Sequence, residues 1–285
     1  MAGVIPGLVQ PIQGGSGDDV LFGSLGDDVI LGLAGADEID GSGGNDIVDG
    51  GEGNDDITTE DGNDSIVGNT GDDQIDSGAG LDTIFGGDGN DTAFGGDGND
   101  TLYGDNGDNT DTLNAGNDYL DGQRGDDVIL GETGTDTLIG GLGSDFISGG
   151  DGDDLLYSHT GRTGAVLERD EFYGGAGADQ FNLLTNYGGG KAAAAIAPRL
   201  PSSIKDNSFA VIRDFSIADG DTLGLLDRPT RRNGYTITYG NFDKAGKADT
   251  FINKNNNLVA VVTNTTLTLA DLVQATTPTL PAPVA

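Results

Sequence analysis

A glycine-rich period of nine residues, an acidic excess confined to the first half of the chain and a small aromatic inventory predict an all-β protein. The expected architecture is a right-handed parallel β-roll, a β-solenoid of nonapeptide repeats, followed by a small mainly-β C-terminal cap region. Of 285 residues, 52 are Gly, 6% are aromatic and none is Trp, a composition from which an ordinary globular core is hard to build. The net charge of −35 sits in one block: residues 14–157 carry 36 acidic side chains against a single basic one, Arg124, whereas residues 158–285 carry 12 of each. Such a block repels nucleic acid and anionic membrane, and it needs cations to become compact.

The period justifies the roll. From Gly14 to Tyr157 the chain divides into sixteen consecutive nonads of the form G-G-x-G-x-D-x-U-x. Position 6 is Asp in fifteen of them: Asp19, Asp28, Asp37, Asp46, Asp55, Asp64, Asp73, Asp82, Asp91, Asp100, Asp118, Asp127, Asp136, Asp145 and Asp154. Position 8 is Leu, Ile or Val in fourteen, the others being Ala93 and Asp111. Glycines at positions 1, 2 and 4 open backbone angles closed to other residues, so the first six residues form a tight turn. The x-U-x triplet is a short strand whose middle side chain points in and whose flanks point out. Two nonads then make one coil, and coils stack as two parallel sheets about 4.8 Å apart per step. Leu21 and Ile39 would fill the core from one sheet, Ile30 and Val48 from the other.

Stacking sets the position-6 carboxylates in two ladders, one along each edge. Neighbours about 5 Å apart repel by roughly 1 kcal/mol in water and by several at an effective dielectric of 20. Ca²⁺ suits such an edge, because it accepts six to eight oxygen ligands in flexible geometry, and carboxylates with turn carbonyls supply them. Mg²⁺ demands a tight octahedron and should substitute poorly. One ion between each pair of stacked turns gives about fourteen sites, enough to offset most of the charge.

These nonads resemble the RTX (repeats-in-toxin) calcium-binding family, over residues 14–157 and again at GGAGADQFN, residues 174–182, which adds Asp179 to the expected metal ligands. The resemblance implies repeats that stay unfolded at cytosolic calcium and fold outside the cell. FAVIRDFSIADGDTLGLL, residues 209–226, is similar to the segment following the last repeat in such proteins, a folded cap before an uncleaved secretion signal. It therefore implies an extracellular or cell-surface protein exported by the type I secretion apparatus. MAGVIPGLVQPIQ carries neither a basic n-region nor a continuous apolar stretch, there is no cysteine, and no run of 18 apolar residues marks a transmembrane segment, all of which agree with that route.

The expected organisation is an N-terminal apolar capping or assembly segment (1–13), the roll (14–157) and a C-terminal region (158–285). The eleventh unit, GDNGDNTDT, is at fault: strict register puts Asn109 in the ligand position and Asp111 in the core. Burying Asp111 unpaired costs several kcal/mol, which favours an eleven-residue unit with Leu113 inward and a seven-residue unit after it. Either arrangement weakens or alters the neighbouring calcium sites. On the outer faces, the even units present ten apolar residues (Val29, Leu31, Ile47, Val67, Phe85, Tyr103, Tyr119, Ile139, Leu155, Tyr157), and the odd units six, including Val20, Phe22, Val128 and Leu130. Such a face packs on the C-terminal region or on another chain, or merely reflects strand preference. Residues 158–173 read as an excursion and residues 183–205 mostly as loop. Residues 210–215, 235–239 and 258–263 alternate as strands, KNNN marks a turn, and residues 267–274 suit a helix. Asp214, Asp219 and Asp221 either bind a further calcium or cap turns.

No catalytic residue is assigned and the chain is not read as an enzyme. HExxH, G-x-S-x-G and GK[ST] are all absent. His159, the only histidine, beside Ser158 and Glu168 could be drawn as a triad, but a surface histidine is the simpler reading. The carboxylate pairs Asp18/Asp19 and Asp153/Asp154 could imitate a glycosidase, but one member of each is claimed by the metal ladder. The expected function is a calcium-binding extracellular protein with a structural, adhesive or self-assembling surface-layer role. The alternative is a soluble secreted calcium-binding module that serves a partner without assembling.

Overall fold

Small turns and three-residue strands can close on themselves only by stacking, and that is the architecture found. The structure, a computed structural model, describes residues 10–107, 116–158 and 169–183, and from 210 to 274 the stretches 210–216, 218–219, 221–225, 235–240, 249–254, 257–262, 267 and 272–274. Among these residues the strands form two sheets and no helix. The first sheet begins at Ile12–Gln13 and continues through Val29–Ala34, Ile47–Glu52, Ser65–Thr70, Thr83–Asp88, Thr101–Tyr103, Val128–Thr133, Phe146–Asp151 and Glu171–Ala176. The second begins at Val20–Phe22 and continues through Glu38–Asp40, Asp56–Thr58, Gln74–Asp76, Thr92–Gly98, Tyr119–Arg124, Thr137–Ile139, Leu155–Tyr157 and Gln180–Leu183. The chain alternates between the sheets in parallel register, so that Val48 is aligned with Ile30 on one side and with Ile66 on the other.

Position 8 forms the core as expected. Ile30, Val48, Ile66, Ile84 and Leu102 face Leu21, Ile39, Ile57, Ile75 and Ala93, and all are buried. Burying such an aliphatic side chain is worth about 1.5–3 kcal/mol, so each coil contributes two modest apolar increments. The turns are as constrained as the core: Gly53 has φ +128°, and a Cβ there would overlap the Gly35 carbonyl of the coil below.

The fault is resolved differently from both sequence readings. Thr92–Gly98 pairs directly with Tyr119–Arg124, Ala93 opposite Leu120, and Leu102 lies opposite Ile129. The step is 27 residues where neighbouring coils take 18, so nine residues add no strand. Gly104 closes on Asp118, and Gly116, two residues before that aspartate, lies over the Gly89 carbonyl as a position-4 glycine does. The extra residues therefore fall, in sequence, between a position-1 glycine, Gly104, and a position-4 glycine, Gly116. Asn109, Asp111 and Leu113 lie outside the described residues; what is described is that Thr92–Gly98 and Tyr119–Arg124 are direct neighbours in the sheet. A turn tolerates added length at small entropic cost, whereas a misplaced core residue disrupts the stack.

The insertion also reverses the outer faces downstream. Val29, Leu31, Ile47, Val67, Phe85 and Tyr103 belong to the first sheet, but Tyr119, Ile139, Leu155 and Tyr157 belong to the second, and Val128 and Leu130 join the first. The apolar residues expected on one face are thus divided. Tyr119, Ile139 and Tyr157 form a buried outer cluster with Phe94 and Leu155 against it. At the other end of the same sheet Val20 and Phe22 stand exposed.

Stacking does not stop at Tyr157. Residues 159–168 lie outside the description, but Glu171–Ala176 re-enters the first sheet with Phe172 in the core. Ala210–Ile212 stacks on Glu171–Ala176, and Thr222–Leu225 on Gln180–Leu183. Asn257–Val262 continues the first sheet and turns into an antiparallel meander with Asp249–Lys254 and Tyr235–Gly240. KNNN lies at the hairpin joining Lys254 to Asn257. Where a helix was expected, Leu272–Gln274 instead pairs with Thr222–Leu225, since the second sheet offers it an open edge. At the N-terminal end, Ile12 packs against the core and pairs with Ile30; residues 1–9 and the expected loop over 184–205 lie outside the described residues.

Candidate metal centre

Each position-6 aspartate is placed by the tight turn before it and the strand after it, so the carboxylates stack at coil spacing. One oxygen ties the coils together. Oδ1 of Asp37 accepts the backbone N–H of Asp19 at 2.8 Å, and the relation repeats from Asp37 to Asp55, Asp73 and Asp91. It crosses the insertion unbroken: Asp118 Oδ1 accepts from Asp91 N–H at 2.8 Å, and the ladder runs on through Asp136, Asp154, Asp179 and Asp221. The opposite ladder runs from Asp28 through Asp46, Asp64, Asp82, Asp100, Asp127 and Asp145 to Asp170. All sixteen aspartates expected from the sequence stand in these two ladders.

The other oxygen separates the middle from the ends. In Asp37, Asp55, Asp73, Asp91, Asp118, Asp136, Asp154 and Asp179, and across the roll in Asp46, Asp64, Asp82, Asp100 and Asp127, Oδ2 is buried and meets no hydrogen-bond donor. At the ends it is satisfied within its own turn: Asp19 Oδ2 accepts from Gly15 N–H, Asp28 Oδ2 from Ser24 N–H and Asp221 Oδ2 from Ser216 N–H, each at 2.6 Å.

An unpaired carboxylate oxygen in a water-excluded site costs several kcal/mol. Burial pushes the Asp91 carboxyl up to about 8, and the charges of Asp118 and Asp73 push the same way. Burial likewise raises Asp73 to about 7, Asp127 to about 8 and Asp136 to about 9. Asp118 rises to about 7, first through burial and then through the charges of Asp105 and Glu132. Among the described residues no Lys or Arg pairs with a ladder carboxylate. Arg124 pairs at 3.3 Å with Asp97 on the surface, both side chains being more than half exposed.

The donor set fits a divalent cation bound by oxygen. A Cβ on Gly50 would stand 2.5 Å from Asp55 Oδ2 and 3.0 Å from the Gly68 carbonyl oxygen, so glycine leaves open the space onto which a carboxylate and a main-chain carbonyl face. Among the described residues no three carboxylate or imidazole side chains converge on one point. Any ion must therefore be shared between stacked turns and completed by carbonyls, a set that matches the flexible coordination of Ca²⁺. Calcium bound there would supply the positive charge the ladders lack.

Sequence reasoning missed several residues. Asp170 belongs to a ladder although the sequence before it lacks the glycine pattern, its signal being the D-x-U of DEF (170–172); Asp221, read as either a further ligand or a turn cap, ends the other ladder as the D-x-U of DTL (221–223). Position 5 carries a second, oppositely directed ladder: Asp18 Oδ1 accepts from Ala36 N–H at 3.0 Å, Asp27 from Asn45 at 2.8 Å and Asp72 from Asn90 at 2.8 Å. Exposed and hydrogen-bonded, the Asp27 and Asp72 carboxyls are held low by the Asn45 and Asn90 backbone amides. Asp/Asn at position 5 was legible as the N-D and D-D pairs. Asp153 serves the same way towards Ala178 N–H, so Asp18 and Asp153 have a structural use. Asp214 caps a turn, its two oxygens accepting from Gly174 and Gly175 N–H at 2.8 and 2.9 Å, while Asp219 is exposed. His159 and Glu168 lie outside the described residues.

A family model described as RTX calcium-binding nonapeptide repeat matches the chain at residues 13–48, 22–57, 49–84, 76–111, 112–138, 130–162 and 168–183. The comparison with curated proteins finds no match. The matched segments span more than half of the chain, and nothing in them is a catalytic domain. The parallel stack, the aspartate ladders and these matches identify the chain as a calcium-binding protein of the RTX nonapeptide repeat family.

Proposed function

We propose that the position-6 aspartates of the inner coils are the calcium ligands and that about fourteen ions, one between successive turns on each edge, convert an unfolded acidic chain into the roll. The carrying observation is the run of buried Oδ2 atoms without a donor, ended on both sides by aspartates whose Oδ2 is satisfied. The three regions act in sequence: residues 1–13 cap or join the first coil, 14–157 form the calcium roll, and 158–285 carry the closing coils and the secretion signal. The chain leaves the cell through a type I apparatus while calcium is scarce, and folds in the extracellular medium.

Outside, it acts as a structural, adhesive or surface-layer component rather than as an enzyme. Support comes from the first coil, where Val20, Phe22 and Leu25 are 56, 61 and 89% exposed beside a strand edge that no other strand among the described residues pairs with. The antiparallel meander on the first sheet favours a second reading, a soluble calcium-binding module, because it closes that sheet against further parallel addition. Electron microscopy and sedimentation with and without calcium separate the two. Calcium-dependent filaments, sheets or dimers support assembly, and monodisperse monomers under both conditions overturn it.

A further inference from the structure

We infer that Asp105 and Glu132, two buried carboxylates beside Asp118, make the Asp118 position the first calcium site of the roll to fill. The inference rests on the proposed ladder sites and deepens that reading. Asp105 follows Gly104, the glycine that closes on Asp118, and Glu132 follows Gly131, whose carbonyl faces the same space. The two side chains therefore occupy position 2 of adjacent coils, where the coils on either side carry Gly87 and Gly150.

Both are buried, at 6 and 4% exposure, which is uncommon for carboxylates. Both are also fixed: Asp105 accepts from Thr133 N–H at 3.0 Å, and Glu132 Oε2 accepts from Gly107 N–H at 2.7 Å. Glu132 holds a left-handed φ of +72°, a conformation its glycine counterparts adopt without strain. Between these charges stands Asp118, 2% exposed, with its Oδ2 unpartnered. Asp105 and Glu132 need not touch an ion. Two fixed negative charges within several ångströms of a dication, in a site of intermediate dielectric, raise its affinity by on the order of tenfold each. The strict nonad count expects weakened sites here. The described residues instead keep Asp118 in the ladder and surround it with more negative charge than any glycine-only turn.

Calcium titration of the full chain by calorimetry tests the inference with Asp105→Asn/Glu132→Gln, whose amide oxygens still accept from Thr133 and Gly107. Asp18→Asn/Asp153→Asn removes the same charge from exposed position-5 sites as a control. The tightest class of sites should weaken by tenfold or more in the first variant and by less than about twofold in the control. An unchanged tightest class would overturn the inference, and absence of calcium binding by the unaltered chain would overturn the ladder reading itself. A second measurement is independent of whether the double variant folds. Tyr103 and Tyr119 flank this turn in sequence, so in the unaltered chain the first equivalents of Tb³⁺ should show tyrosine-sensitised emission that Tyr103→Phe/Tyr119→Phe abolishes. Early emission that survives in that variant places the first ion elsewhere and overturns the inference.

Discussion

The nonad coils and the C-terminal coils stack strands in the same parallel register, yet they are held by different forces. In the nonad coils one residue per strand faces inward, and the coil edges carry buried carboxylates that no Lys or Arg among the described residues pairs with. In Ala210–Ile212 all three residues are buried, and Phe215 packs on Phe181 at 5.7 Å between ring centroids. There the protein supplies its own cations: Glu171 meets Arg213 at 2.7 Å and Arg169 at 3.2 Å. A parallel stack can thus be closed by apolar volume and ion pairs, or by a thin core and an external cation. Only the second can be switched by the concentration of that cation.

The largest difference should appear in the core. Ile84→Ala removes half of what its coil contributes and should cost about 2–4 kcal/mol in calcium, by denaturant unfolding. Val211→Ala, at a residue buried outside the core cluster and aligned with Glu171, should cost about 1–2 kcal/mol; equal losses would show that the inward position of a nonad strand counts for no more than a buried flank. Next come the ladders. Asp91→Ala should raise the calcium midpoint of folding several-fold and also orphan the Asp73 N–H. Asp221→Ala, whose two oxygens already accept from Asp179 and Ser216, should cost about 1–3 kcal/mol with no change in that midpoint. A calcium midpoint that moves alike in both variants would contradict the contrast between inner and end carboxylates.

The inner ladder and the Glu171 ion pair should also respond to pH with opposite sign. Burial raises the inner-ladder carboxyls of Asp55, Asp73, Asp91 and Asp136 from an ordinary value near 4 to about 6, 7, 8 and 9. Without calcium, their protonated form favours folding, so that stability is present below about pH 4 and is lost as pH rises through 6–9. Glu171 differs: burial alone would raise it, but the Arg213 hydrogen bond and the Arg213 and Arg169 charges hold it low. Its contribution is present above its unfolded value and lost as pH falls. In calcium-free buffer, circular dichroism should therefore show more β structure at pH 5 than at pH 8; the reverse order would contradict the buried-carboxylate account. The smallest effect expected is Glu171→Gln, about 1 kcal/mol or less and weakened by salt, since the ion pair is partly exposed.

The nonad coils were legible because two positions hold their register over many units: Asp at position 6 points to a ladder, and an aliphatic at position 8 to a core. The insertion was hidden by its own length. Nine added residues leave the count intact, and Gly104 and Gly107 imitate positions 1 and 4 of a regular unit. The available signal was that Asn109 and Asp111 break both informative positions at once, which a single bulge does not need. The C-terminal coils were less legible because their stacking rests on side-chain volume rather than on turn glycines. The strand at Leu272–Gln274 shows this, because what decides it is the open edge of Thr222–Leu225, a feature of the assembled sheet.

The central claim is that the nonad coils exist only as a calcium complex at neutral pH. Far-ultraviolet circular dichroism of the full chain at pH 7.5, titrated from chelator into millimolar calcium, tests it most directly. The account predicts a largely unstructured spectrum in chelator and a cooperative, reversible gain of β signal as calcium is added, with magnesium a poor substitute. A chain already fully β-structured in chelator would contradict it.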